Sequence, residues 1–251
     1  MNDPSDSERS GPGTAPADGA SPAGGGAQDG DGGTRAPAVA FFDLDGTLVV
    51  GQTTLLLMKF LRKAGIVSRT FLVGTGLWFL GYKAGLVKVS EKSREKGAGV
   101  FRGRTGTEVE GLMTRFTEEV LVPRFHPAAT AALAEHLAEG DHVVVVSAAL
   151  DPVVEALCRR LEVADFVGTP CEVVGGVYTG RLTGPSPHAD EKVRVAATHM
   201  ERWSAHPSDC WAYADHGTDL GLLRSVGHPV AVNPRPLLLE AAQQAGWPIL
   251  S

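Results

Sequence analysis

Residues 41–48 read Phe-Phe-Asp-Leu-Asp-Gly-Thr-Leu, and no other stretch limits the possible folds of this chain as much. The apolar run from Ala36 to Phe42, interrupted only by Pro37, predicts a short buried strand. Two carboxylates follow it, two residues apart. In near-extended chain, residues i and i+2 point the same way, so Asp43 and Asp45 are expected to face one small space just past the strand's carboxyl end. Ligands of open α/β sheets bind in that place. Two like charges held there raise one another's pKa unless a cation sits between them. The same eight residues equally suit a strand followed by an Asp-Gly turn with both acids solvated. The rest of the chain decides between the two.

Downstream, Thr53 or Thr54 is placed to cap a helix ending near Ala64, with Gly65 as its stop. Helices are also predicted for 71–82, apolar almost all round, for 90–101 and for 107–122. No strand pattern appears between Gly51 and Pro123, so this is a helical block inserted after the first strand. From Pro127 helices and strands alternate. The predicted order is a helix over 128–138 stopped by Gly140, a strand over Val143–Val146, and a helix over 153–161 with Asp151 as N-cap and Pro152 at its first position. A hairpin of 169–174 and 177–182 about Gly175-Gly176 follows. Then come a helix over 191–203, a strand over 210–214, a short helix over 220–225 and a last strand over 230–232. This alternation predicts an α/β fold, a Rossmann-like, mostly parallel sheet with helices on both faces. The domain expectation is a disordered tail over 1–36 and one domain over 37–251. Its core is 37–51 and 125–251, and 52–124 is its helical cap.

Charge is distributed unevenly under the net −6. Residues 52–104 hold eleven Lys and Arg against only Glu91 and Glu95, while the remainder of the chain is acidic. A basic insertion in an acidic body suits an anionic substrate or surface, and equally a solvated basic helical face. Residues 1–36 are rich in Gly, Ala, Pro, Ser and Asp, and lack the basic start and apolar centre of a signal peptide. Cys158, Cys171 and Cys210 show no paired spacing, which fits a reducing compartment rather than a disulfide or zinc framework. With no apolar stretch of spanning length, a cytoplasmic location is expected.

Four places at strand ends hold candidate chemistry: Asp43 and Asp45; Ser147, followed by small Ala148 and Ala149; Lys192 at a helix start; and Asp215 with Asp219 four residues on. Singly, Ser147 also suits a turn, Lys192 a surface position and Asp215 a helix cap. Together, Asp43-Leu-Asp-Gly-Thr47, Val146-Ser-Ala-Ala149, Glu191-Lys-Val193 and Asp215-His-Gly-Thr-Asp219 resemble, in order, the motifs of the haloacid-dehalogenase-like hydrolase superfamily. The likeness is to the phosphoserine-phosphatase-like branch, in which a helical cap follows the first strand. The segment Val226 to Pro234 looks like that branch too.

The resemblance implies that Asp43 is a nucleophile forming an aspartyl-phosphate and that Asp45 is the general acid and base. It implies Mg²⁺ held by the Asp43 carboxylate, the Asp45 carbonyl and Asp215, with Asp219 holding metal-bound water or orienting the site. Ser147 and nearby backbone amides would hold phosphoryl oxygens, and Lys192 would offset charge. Two positions depart from the family pattern. The fourth motif has Ala214 and His216 where Gly and a small residue are usual, so that His216 is a substrate contact or a surface residue. Pro187-His-Ala-Asp190 lacks the Gly usual before the lysine, with Arg194 as the fallback cation.

Phosphoserine phosphatases carry a Glu nine residues after the nucleophile; Gln52 stands here, without a charge for an ammonium. Arg94, Lys96, Arg102 and Arg104 are candidate leaving-group contacts, and Ala148 a candidate substrate contact through its backbone. The expected function is hydrolysis of a small phosphate monoester. Phosphoryl transfer to another acceptor, action on a lipid or membrane-associated phosphate, and non-catalytic phosphate-ligand binding are the alternatives. A membrane surface is the minor expectation, set by the apolar run around Trp78 and Phe79. No nucleic-acid partner is expected, and no oligomeric state is specified.

Overall fold

The structure is a computed structural model and describes residues 38–67 and 97–251. The expected helix over 71–82, Arg94, Lys96 and the tail lie outside the described residues, as does most of the helix expected over 90–101.

Six parallel strands form the main sheet in the order β3-β2-β1-β6-β7-β8. They are β1 (Val39–Phe42), β2 (His142–Leu150), β3 (Asp165–Thr169), β6 (Trp211–Ala214), β7 (His228–Val232) and β8 (Ile249–Leu250). β4 (Cys171–Val174) and β5 (Val177–Leu182) make a separate antiparallel hairpin. All four residues of β1 are buried, because the strand is central and covered on both faces. Val39 and Phe41 join the core on one face with Val144, Val146, Ala212 and Ala231. Ala40 and Phe42 join the other with Val143, Val145, Tyr213 and Val230. This alternation is the period-2 pattern of a strand divided between two cores.

Helices α1 (Thr53–Lys63), α2 (Gly106–Phe116), α3 (Pro127–Glu139) and α4 (Asp151–Arg160) bury their apolar residues in the second of those cores. Helices α5 (Asp190–Arg202), α6 (Leu220–Arg224) and α7 (Pro236–Ala245) cover the first. Leu57, Phe60 and Leu61 of α1 and Val109, Met113 and Phe116 of α2 therefore share one continuous core with the sheet. α2 starts with a complete capping box, Thr105 with Glu108. It ends in a π-helical turn, Thr117–Leu121, followed by a 3₁₀ turn containing Pro123.

Several sequence expectations change. Gln52, not a threonine, is the N-cap residue of α1, and the helix ends at Lys63 with Gly65 left-handed beyond it. β2 runs past the four valines to Leu150, with a register shift between Val146 and Leu150, because β3 lies beside it. Asp151 is thus the first residue of α4 and Leu150 its cap. β3 was not expected: its run Asp-Phe-Val-Gly-Thr is short and broken by Gly168, and Thr169 belongs to it rather than to the hairpin. Helix α7 and strand β8 also lie beyond the strand expected to be last.

Candidate active site

Asp43 continues the parity of Val39 and Phe41, toward the face covered by α5. Its N–H donates to the Tyr213 carbonyl at 3.0 Å, which ties the end of β1 to β6. After it the chain folds back sharply: Gly46 N–H donates to the Val49 carbonyl and Val49 N–H to that of Leu44. Gly46 has φ +91°, and a Cβ on it would lie 2.2 Å from Asp215 Oδ2. A residue with a side chain fits here neither in conformation nor in space.

That turn separates the two acids more than the spacing suggests. Asp43 is buried and offers its carboxylate together with those of Asp215 and Asp219, the three within 4.8 Å of one another. Asp45 is half-buried and points an oxygen elsewhere: the Thr53 N–H donates to its Oδ1 at 2.6 Å. The first free amide of α1 is thereby satisfied by an acid eight residues upstream, in place of its own cap. Burial pushes the Asp45 carboxyl up to about 6, and the Asp43 charge adds to this against the Thr53 bond.

Lys192 is in the first turn of α5 and is buried. Its ammonium contacts Asp43 Oδ1 at 2.5 Å and Asp219 Oδ2 at 3.1 Å. Burial alone would lower its pKa, but the charges of Asp43 and Asp219 outweigh this and hold it above the ordinary lysine value. Arg194, the fallback, pairs with Glu191 and is largely exposed, so Lys192 and not Arg194 faces this cluster. Asp215 follows β6 and is buried. Burial first, then the Asp43 charge, pushes its carboxyl up to about 6, while Arg235 opposes the rise. Burial also raises Asp219, with Lys192 opposing.

Ser147 is buried in β2, and its Oγ accepts the Ala149 N–H at 3.1 Å, so its own hydroxyl hydrogen stays available to a ligand. Ala148 is exposed and its carbonyl accepts the Thr169 hydroxyl at 2.8 Å. His216 Nδ1 accepts the Thr218 N–H at 3.1 Å; the ring caps the turn Gly217–Asp219. Gln52 is half-buried, and its side chain makes no capping bond to α1. Arg102 donates to the Thr179 carbonyl of β5 and lies at the surface.

Two partners were missed in the sequence. Thr47 donates to Asp43 Oδ2 at 3.3 Å, a contact its place beside the Asp-Gly pair could have suggested. Arg235 donates to Asp215 Oδ2 at 3.1 Å from twenty residues away, and nothing local signals it.

A buried acid directly after the central strand, a lysine entering from the helix before β6, and two acids after β6 sit together in a hydrolase of the doubly wound α/β class. The model of the haloacid dehalogenase-like hydrolase family matches residues 40–224, and the chain belongs to that family. Within it the chain falls in the phosphoserine-phosphatase-like branch. The chain is similar to the "inhibition of morphological differentiation protein" of Streptomyces azureus, with 32% identity over 84% of this chain and 77% of that one. It is 29% identical to a phosphoserine phosphatase of Mycobacterium tuberculosis, over 84% of this chain and 70% of the relative. A Bordetella pertussis protein described as of unknown function has the same fold, with TM-score 0.77 and 26% identity. That match covers 86% of this chain and 99% of the other.

Proposed function

We propose that this protein is a Mg²⁺-dependent phosphatase of small phosphate monoesters acting through an aspartyl-phosphate on Asp43. The observation that carries the reading is the contact of the buried Asp43 carboxylate with the Lys192 ammonium, beside Asp215 and Asp219. A carboxylate so placed is held in position for attack on phosphorus, with a fixed cation to offset the charge of an incoming phosphate. Asp45 carries the complementary role. A carboxyl pushed up to about 6 holds a proton close to neutral pH, can give it to the departing alcohol, and can then take one from the water that cleaves the acyl phosphate. Ser147 would donate to a phosphoryl oxygen, as would exposed backbone near Ala148.

The donor set suits a hard cation: Asp43, Asp215 and Asp219 offer carboxylate oxygens, with no sulfur or imidazole in the cluster, and the resemblance to the family would add the Asp45 carbonyl. When bound there, Mg²⁺ supplies neutralisation of phosphoryl charge. Asp219 would orient the site through Lys192 as well as serve the ion. We take residues 52–124 as the cap segment over a core of 37–51 and 125–251. The three unpaired cysteines favour a reducing compartment, the cytoplasm. The Mycobacterium relative is named for phosphoserine. Gln52, lacking a charge for an ammonium, argues for a leaving group other than serine.

The test is p-nitrophenyl phosphate turnover by the purified full chain with Mg²⁺ and with EDTA, beside Asp43→Asn. Metal-dependent turnover lost in Asp43→Asn is expected. Turnover retained in that variant overturns the nucleophile, and a folded wild type that releases no phosphate from any ester of a broad panel overturns the hydrolase.

A further inference from the structure

Lys192 is the cation the sequence places among the acids, and it contacts two of the three clustered carboxylates, Asp43 and Asp219. The third, Asp215, is held by Arg235. That arginine leads into α7 from the loop after β7, so the topology brings it to the same edge of the sheet. Its backbone N–H donates to the Asp215 carbonyl at 2.9 Å and its Nε to Asp215 Oδ2 at 3.1 Å. One main-chain and one side-chain bond to a single residue fix the guanidinium against that carboxylate. The Asp215 side chain is 5% exposed and that of Arg235 is 47% exposed, so the pair runs from the interior to the rim.

We infer that Arg235 is the countercharge of the metal-free site: it neutralises Asp215 when no cation is bound, and by repulsion limits how tightly a divalent ion is held. The inference rests on the proposed reading that Asp43, Asp215 and Asp219 hold the metal. Three carboxylates within 4.8 Å repel one another, and burial weakens the screening that water would provide. Lys192 relieves two of them and Arg235 the remaining one. A guanidinium stays charged at every accessible pH, so its contribution does not switch off on binding. Once a divalent ion binds, the same fixed charge lies a few ångströms from another cation and opposes it. A single side chain therefore acts with opposite sign on the two states, favourably without metal and unfavourably with it.

The experiment compares wild type, Arg235→Met, Arg235→Lys and Asp215→Asn as full-length proteins stripped by chelator. Mn²⁺ is titrated with the free ion followed by electron paramagnetic resonance, and each protein is melted with and without metal. Arg235→Met is expected to bind Mn²⁺ about tenfold more tightly than wild type, the scale set by removing one nearby unit charge from a partly exposed site. Its metal-free form should melt below wild type, and its metal-induced rise in Tm should be larger. Arg235→Lys, which keeps the charge, should stay close to wild type in affinity. Unchanged or weaker binding by Arg235→Met overturns the countercharge, as does Arg235→Lys binding as tightly as Arg235→Met. If Asp215→Asn binds Mn²⁺ like wild type, the metal assignment itself fails and takes this inference with it. Loss of binding in Asp215→Asn beside an indifferent Arg235→Met leaves the assignment standing and sinks only the countercharge.

Discussion

Ala189, three residues before Lys192, holds φ 48° and ψ −115°. That left-handed region favours glycine, and this is the stretch where the sequence lacks the family's usual Gly. The Ala189 carbonyl accepts the Lys192 N–H at 3.0 Å, so the strained residue also sets the first turn of α5. Ala189→Gly should remove more strain than it adds in unfolded-chain freedom, and raise stability by about 1 kcal/mol, read as a higher urea midpoint at unchanged slope. Gly46→Ala goes the other way. Its Cβ meets the buried Asp215 carboxylate at a φ of +91° that alanine rarely adopts, so a loss of about 2 kcal/mol or more is expected together with most of the turnover. Full activity in that variant would mean that Asp215 has room to move. Asp43 and Asp45 were legible at this scale as candidates because their spacing is local, whereas Lys192, at a helix start, stood out only through the ordered set of four motifs.

α3 is tied to the sheet by a buried polar chain that its sequence does not announce. His136 contacts Asp141 Oδ2 at 2.7 Å through Nδ1 and the Tyr213 hydroxyl at 2.9 Å through Nε2. Asp141 Oδ1 accepts the Ala38 N–H, joining the start of β2 to the start of β1. The Tyr213 ring stacks on Phe42 at 4.2 Å, directly before Asp43. His136→Leu leaves the Tyr213 hydroxyl without its imidazole partner and breaks a buried ionisable pair. Denaturant titration should show a loss of about 3 kcal/mol. Tyr213→Phe removes only the last bond of the chain and should lose about 1 kcal/mol. By contrast, the α4–α2 pair Arg159–Glu110 is half-exposed on both sides, and breaking it should change stability by under about 1 kcal/mol. Elements with strong periodicity or clear punctuation, α1, α3 and α5 among them, were visible in the sequence. β3 and β8 were not, since a five-residue strand broken by glycine and a two-residue strand carry too little pattern and exist only beside β2 and β7.

Across the molecule, clustered acids shape the pH response. The Asp45 and Asp215 carboxyls lie at about 6 in the folded protein against 3.8 for an ordinary aspartate. Between those values the folded state binds more protons than the unfolded chain, so their contribution to stability falls as pH rises through this window. Protein kept metal-free in EDTA should therefore gain from these two groups as pH is lowered from 7 toward 5, seen as a Tm that rises or falls less than the other acids dictate. Saturating Mg²⁺ should remove that gain, because the ion takes the place of the protons. A metal-free Tm that drops steeply over the same interval would contradict the raised values. Of the described bases of the 52–104 segment, Lys59, Arg62 and Lys63 on α1 are exposed, as a solvated helical face requires; Arg102 is exposed and Arg104 half-buried outside that helix.

By itself the sequence determined the fold class and marked out the candidate groups of the site. Both are written in short-range pattern: apolar runs of strand length, carboxylates two residues apart, and a serine, a lysine and an Asp pair each at a strand or helix boundary. What only the tertiary structure decided is how those groups are partnered. Asp45 turns to the α1 amide at Thr53, Lys192 bridges Asp43 and Asp219, and Arg235 holds Asp215. Such pairings join residues brought together by sheet order and crossovers, and a Coulombic contact between side chains 149 positions apart leaves no trace in the local spacing of either.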